Sequence, residues 1–140
     1  MKKYIGLTIL FIMMMGSNIS AQNLGAELKA LLKEKGYSIS KELFSDLAEG
    51  ETAYYTKTFY AGTNYAIIAY SEEYGVSDID IYLYDDDGSV LVKDTDSDQS
   101  ALVEYSPYVS REMKVVIKNY NSESSVKEYD CRFIIAYYND

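Results

Sequence analysis

Beyond Gly36, apolar and polar side chains alternate along almost the whole chain. Ile79, Ile81 and Leu83 alternate with Asp80, Tyr82 and Tyr84. The same period of two carries Tyr65, Ile67 and Ala69, then Val90 and Val92, Val103 and Tyr105, Met113, Val115 and Ile117, and finally Cys131, Phe133 and Ile135. Residues two apart share one face of a strand, so these apolar sets form the expected core of half-buried strands. The pattern predicts strands near 37–40, 43–48, 52–60, 64–71, 78–84, 89–93, 101–106, 112–120 and 129–138. Gly50, Gly62, Gly75, Gly88 and Pro107 punctuate them, and Asp85 to Gly88 supplies an acidic hairpin turn. Short strands between polar turns, with no crossover long enough for parallel pairing, predict an all-β fold: an antiparallel, jelly-roll-like β-sandwich.

Before Gly36 the period is that of a helix. Leu24, Leu28, Leu31 and Leu32 form one apolar stripe, which predicts a single N-terminal α-helix over 23–35. Asn23 is the expected N-cap and Gly36 the expected stop. A helix this short needs packing to persist, so its stripe is expected to dock on the sandwich or to cover an edge or end of it.

The first 21 residues have the layout of a secretory signal. Lys2 and Lys3 precede an apolar run from Ile5 to Met15, and Ala21 offers a small residue for cleavage. The expected domain is then 22–140, with the sandwich over 37–138 and a secreted or periplasmic location. Removing that segment takes the net charge from −9 down to −11, because only Lys2 and Lys3 are charged within it. A field of that sign repels nucleic acid and anionic membrane, so neither is an expected partner. The lone Cys131 cannot form an internal disulfide and alternates with apolar residues, which marks it as a small buried hydrophobe.

Four segments together resemble the bacterial pre-peptidase C-terminal domain and its stand-alone relatives. They are Tyr60-Ala61-Gly62-Thr63-Asn64-Tyr65-Ala66-Ile67; Ser77-Asp78-Ile79-Asp80-Ile81-Tyr82-Leu83-Tyr84-Asp85; Gly88 to Asp98; and Val103-Glu104-Tyr105-Ser106-Pro107 with the alternation that follows. The likeness spans roughly 50 to 138. It implies a small secreted sandwich, in a family where some members bind collagen or polysaccharide and some hold calcium.

The chain has no histidine, which removes the commonest general base and any Ser-His-Asp or Cys-His arrangement. No enzymatic activity is expected. Two features remain as candidate binding chemistry. Asp78, Asp80, Asp94, Asp96 and Asp98 are oxygen donors close in sequence, so calcium is a candidate ligand; the alternative is that they form turns and keep the surface soluble. Gln99 and Tyr105 occupy positions where an EF-hand loop carries Gly and Glu. Tyrosine is the other feature. Tyr54, Tyr60, Tyr70, Tyr82, Tyr84, Tyr120 and Tyr138 alternate with core positions and are expected on an outer sheet face. Tyr70, Tyr82, Tyr84 and Tyr120 are the expected contact residues for an extracellular protein or polysaccharide; strand propensity alone also explains them. The sequence therefore points to a secreted, non-catalytic binding module, or else to a calcium-stabilised accessory protein with no small ligand.

Overall fold

The computed structural model describes residues 23–139; the expected signal segment lies outside the described residues. The elements in chain order are α1 (Leu24–Glu34), β1 (Ser38–Leu47), β2 (Thr52–Phe59), β3 (Thr63–Ser71), β4 (Val76–Tyr84), β5 (Val90–Asp94), β6 (Ser100–Tyr105), β7 (Arg111–Ser122) and β8 (Tyr129–Asn139). They form two four-stranded sheets, ordered β1-β8-β3-β6 and β2-β7-β4-β5. Every pairing is antiparallel. Except at the β4–β5 hairpin, successive strands pass back and forth between the sheets, and the first strand pairs with the last, which is the jelly-roll arrangement. The two strands expected at 37–40 and 43–48 are one continuous strand, kinked where the register shifts between Ile39 and Lys41. A bulge bends a strand without ending it, so the interrupted alternation imitates two strands.

The space between the sheets is filled by the alternating set. Ile67, Ile79, Ile81, Leu83, Met113, Val115, Ile117, Phe133 and Ile135 are all buried there, with Cys131 among them. Burial, and the Asp130, Glu73 and Asp46 carboxylates, push the Cys131 thiol up to about 12, so it stays protonated and unreactive. Val90 departs from the expected core: it is 46% exposed, at the start of the edge strand β5. Val92 and Tyr105 are half-buried at the margin.

A second apolar layer lies on the far side of the first sheet. Leu28, Leu31 and Leu32 of α1 pack on Ala66, Ile68 and Tyr70 of β3 and on Ile134, Ala136 and Tyr138 of β8. The helix ends in a Schellman motif: Tyr37 N–H donates to Leu32 O and Gly36 N–H donates to Lys33 O, with Gly36 at φ 86°. Asn23 sits at the N-cap position but makes no side-chain cap hydrogen bond. The first turn is held from the sheet instead, where Gly25 N–H donates to Glu72 Oε1 at 3.2 Å. A Cβ on Gly25 would stand 2.5 Å from Tyr70 Oη, so the helix can approach this closely only with glycine there. Lys29 Nζ pairs with Glu42 Oε2 at 2.9 Å and Tyr70 Oη donates to Glu42 Oε1 at 3.1 Å, closing the seam.

Candidate functional site

The docked helix makes the two outer faces unequal. The outer face of β1-β8-β3-β6 is roofed by α1 at its two central strands, whereas α1 has no such contact with β2-β7-β4-β5. Register assembles the side chains of the open face. Tyr54, Val116, Tyr82 and Lys93 stand in one row across β2, β7, β4 and β5. Thr56, Lys114 and Tyr84 form the next row, and Thr52, Lys118 and Asp80 the row on the other side. The Tyr82 and Tyr84 rings stack with centroids 6.1 Å apart. Lys114 Nζ lies 5.8 Å from the Tyr54 ring centroid and 5.5 Å from that of Tyr84, and Lys118 Nζ lies 5.1 Å from that of Tyr120. Such contacts hold the rings and the ammonium groups in place while leaving both partly open to solvent.

Three of the four expected contact tyrosines therefore come together: Tyr82 and Tyr84 are half-buried and Tyr120 is exposed. Tyr54, 72% exposed, joins them. Tyr70 does not. It is fully buried under α1, and Tyr138 is buried on the same covered face. Both alternate correctly with the sandwich core, but the face they occupy is roofed by the helix. Their neighbours carried the signal. Tyr65 to Tyr70 and Phe133 to Ala136 are nearly unbroken apolar runs, the pattern of strands buried on both faces.

Beside Tyr82 and Tyr120 the open face sinks into a hollow of about 330 Å³, lined also by Asp78, Asp80, Lys93, Thr95 and Ser97. The β5–β6 loop overhangs β4 here, tied down where Ile79 N–H donates to Asp98 O at 2.9 Å. Asp80 points away from the core yet is only 2% exposed, and Asp78 is 7% exposed. Asp80 accepts the Tyr82 hydroxyl at 3.2 Å. Burial raises its pKa, against the opposing Tyr82 hydrogen bond and the nearby Lys118 charge. Asp78 Oδ1 is buried with no hydrogen-bond partner. Burial raises its pKa as well, reinforced by the Asp80, Asp98 and Asp94 carboxylates. Glycosidase chemistry needs paired carboxyls whose environments drive their pKa values apart. Asp78 and Asp80 both shift upward, in an open hollow, and the shared direction gives no sign of such a split.

The expected calcium ligands do not gather into one cage. Asp94 spends Oδ1 on the Asp96 N–H at 3.1 Å and Oδ2 on the Leu102 N–H at 2.9 Å. Asp96 and Asp98 are exposed loop residues. Among the described residues the acidic side chains that do converge are Asp85, Asp86 and Asp87, in the β4–β5 turn. That turn is already occupied: Arg111 Nη1 binds Asp85 Oδ2 at 2.7 Å, and Asp87 Oδ1 accepts the Ser89 N–H and hydroxyl. These aspartates serve the turn geometry that short acidic loops favour.

Among the described residues no helix is long and apolar enough to cross a membrane. No protein-family model matches the chain. No curated protein matches it either. Among solved structures, PliG from Aeromonas hydrophila, a periplasmic lysozyme inhibitor of g-type lysozyme, is similar over 70% of this chain and 85% of its own, with 9% identity and a TM-score of 0.51. A protein of the Bacillus endospore appendages, which form disulfide-linked pili, covers 74% of this chain and 88% of its own at 14% identity and a TM-score of 0.44. A de novo designed double-stranded β-helix covers 71% of this chain at 14% identity and a TM-score of 0.38. At such identities the likeness to PliG extends to the fold alone, and the two lower scores carry no argument.

Proposed function

We propose that this domain is a non-catalytic binding module acting outside the cytoplasm, and that it docks an extracellular protein or polymer through the open face of β2-β7-β4-β5. One observation carries the proposal: α1 buries the apolar and aromatic residues of one outer face, while Tyr54, Tyr82, Tyr84 and Tyr120 stand uncovered on the other. Tyrosine with interleaved lysine supplies rigid contact area and polar tips together, the composition of protein-binding surfaces. The absence of tryptophan favours a protein over a sugar polymer. The resemblance to pre-peptidase C-terminal domains supports the same role and compartment. A sandwich of this fold acts as an inhibitor of another protein in PliG. The lack of histidine supports the non-catalytic part.

The test is capture from extracellular and periplasmic fractions of the source cells. The wild-type domain is compared with the Tyr82→Ala/Tyr84→Ala double variant and with Phe44→Ala, which alters an exposed ring on β1. A partner retained by the wild type and by Phe44→Ala, and lost by the double variant at unchanged melting temperature, is the expected result. Equal retention by all three, or none by any, overturns the proposal.

A further inference from the structure

We infer that the hollow beside Tyr82 and Tyr120 receives the guanidinium of an arginine presented by a protein partner docked on this face. The inference rests on the docking role proposed above and adds the chemical group at its centre.

Asp78 and Asp80 are both more than nine-tenths buried and line the hollow. Asp80 is compensated by the Tyr82 hydroxyl and by Lys118. Asp78 is not: its Oδ1 has no hydrogen-bond partner, and the charges acting on it are the carboxylates of Asp80, Asp94 and Asp98. A buried carboxylate without a donor or a cation is costly, and a cation entering the hollow would remove that cost. The walls choose among cations. A calcium ion needs several converging oxygens, and each Asp94 oxygen already accepts one backbone N–H. Among the described residues, no three carboxylates gather at this point. The Tyr82 and Tyr120 rings line the hollow, each with one face already met by Tyr84 or Lys118 and the other able to stack on a guanidinium; the Thr95 and Ser97 hydroxyls can accept its remaining N–H groups, and among the described residues Lys93 is the one cation on the walls.

The experiment titrates the ¹⁵N-labelled domain with N-acetyl-arginine amide, with its uncharged isostere N-acetyl-citrulline amide, and with calcium chloride. Saturable shifts of the Asp78, Asp80, Thr95 and Ser97 amides by the arginine compound, and binding roughly tenfold weaker for citrulline, are expected because charge-assisted hydrogen bonds are about twice as strong as neutral ones. Asp78→Asn should weaken the arginine compound by a similar factor at a melting temperature equal to or above that of the wild type, since it removes the buried charge, and Asp96→Asn should leave the binding as in the wild type. Equal binding of arginine and citrulline, no saturable shift, or calcium displacing arginine from the same amides overturns the inference; each of these arms uses the wild-type chain. The two proposals fail separately. Guanidinium binding with a capture result indifferent to Tyr82 and Tyr84 keeps the hollow and removes the docking face; capture that depends on those tyrosines, without guanidinium binding, does the reverse.

Discussion

Glu104 shows how one side chain sets a pH response. It lies on the helix side of β6 opposite Ala66, with Oε1 buried and unpartnered, and burial pushes its carboxyl up to about 7 from an ordinary 4.5. The fold therefore favours the protonated acid. Its stabilising contribution is fully present below pH 4.5 and is lost as pH rises through about 7. With solvent screening at this half-buried site, the loss between about pH 5 and about pH 8 is on the order of 1–2 kcal/mol. Urea unfolding at both pH values should show Glu104→Gln lacking that part of the decline and exceeding the wild type at the higher pH; parallel declines would contradict it. Nothing in the sequence marks Glu104. It alternates outward as a surface acid should, and only the packing of the first sheet takes it out of water. Asp78 and Asp80 are legible as acids for the same reason, and their burial under the β5–β6 loop is not.

At the scale of elements, alternation resolved every strand but β1, whose bulge imitates a break, because each has one face on the sandwich core. The helix was equally plain from its leucine spacing. What neither pattern contains is the destination of the leucine stripe, and that alone decides whether Tyr70 and Tyr138 are surface or core. The destination is set by shape: Gly25 lets the first turn come down onto Tyr70, and the Lys29–Glu42 pair fixes the far side. Leu32→Ala empties the centre of this seam and should destabilise the domain by about 2–5 kcal/mol, as deletions of fully buried leucine do. Chemical denaturation with a tryptophan-free probe such as far-ultraviolet dichroism reads the change. A loss below about 0.5 kcal/mol would mean that the helix contributes little by docking, since exposed-site changes stay within that range.

For the whole molecule, the same docking creates a gradient of rigidity. β3 and β8 are buried on both sides, facing the sandwich on one and α1 on the other. β2 and β5 are edge strands of the open sheet. Amide exchange should be slowest in the apolar centres of β3 and β8, approaching the global unfolding limit, and fastest in β5 and the loops beside it. Uniform protection across both sheets would argue against this layering.

The pairing of the first strand with the last has a further consequence for how the chain is made. β8 lies between β1 and β3, so until the final strand exists β1 has no partner strand and β3 has only β6. A ribosome or secretion channel delivering the polypeptide from its N-terminus releases seven strands before the one that ties β1 to β3. Until then their apolar edges are open to other chains, and long-range closure of this kind is slow compared with helix formation. Biogenesis, rather than equilibrium stability, is where this protein depends most on being kept apart from its own copies.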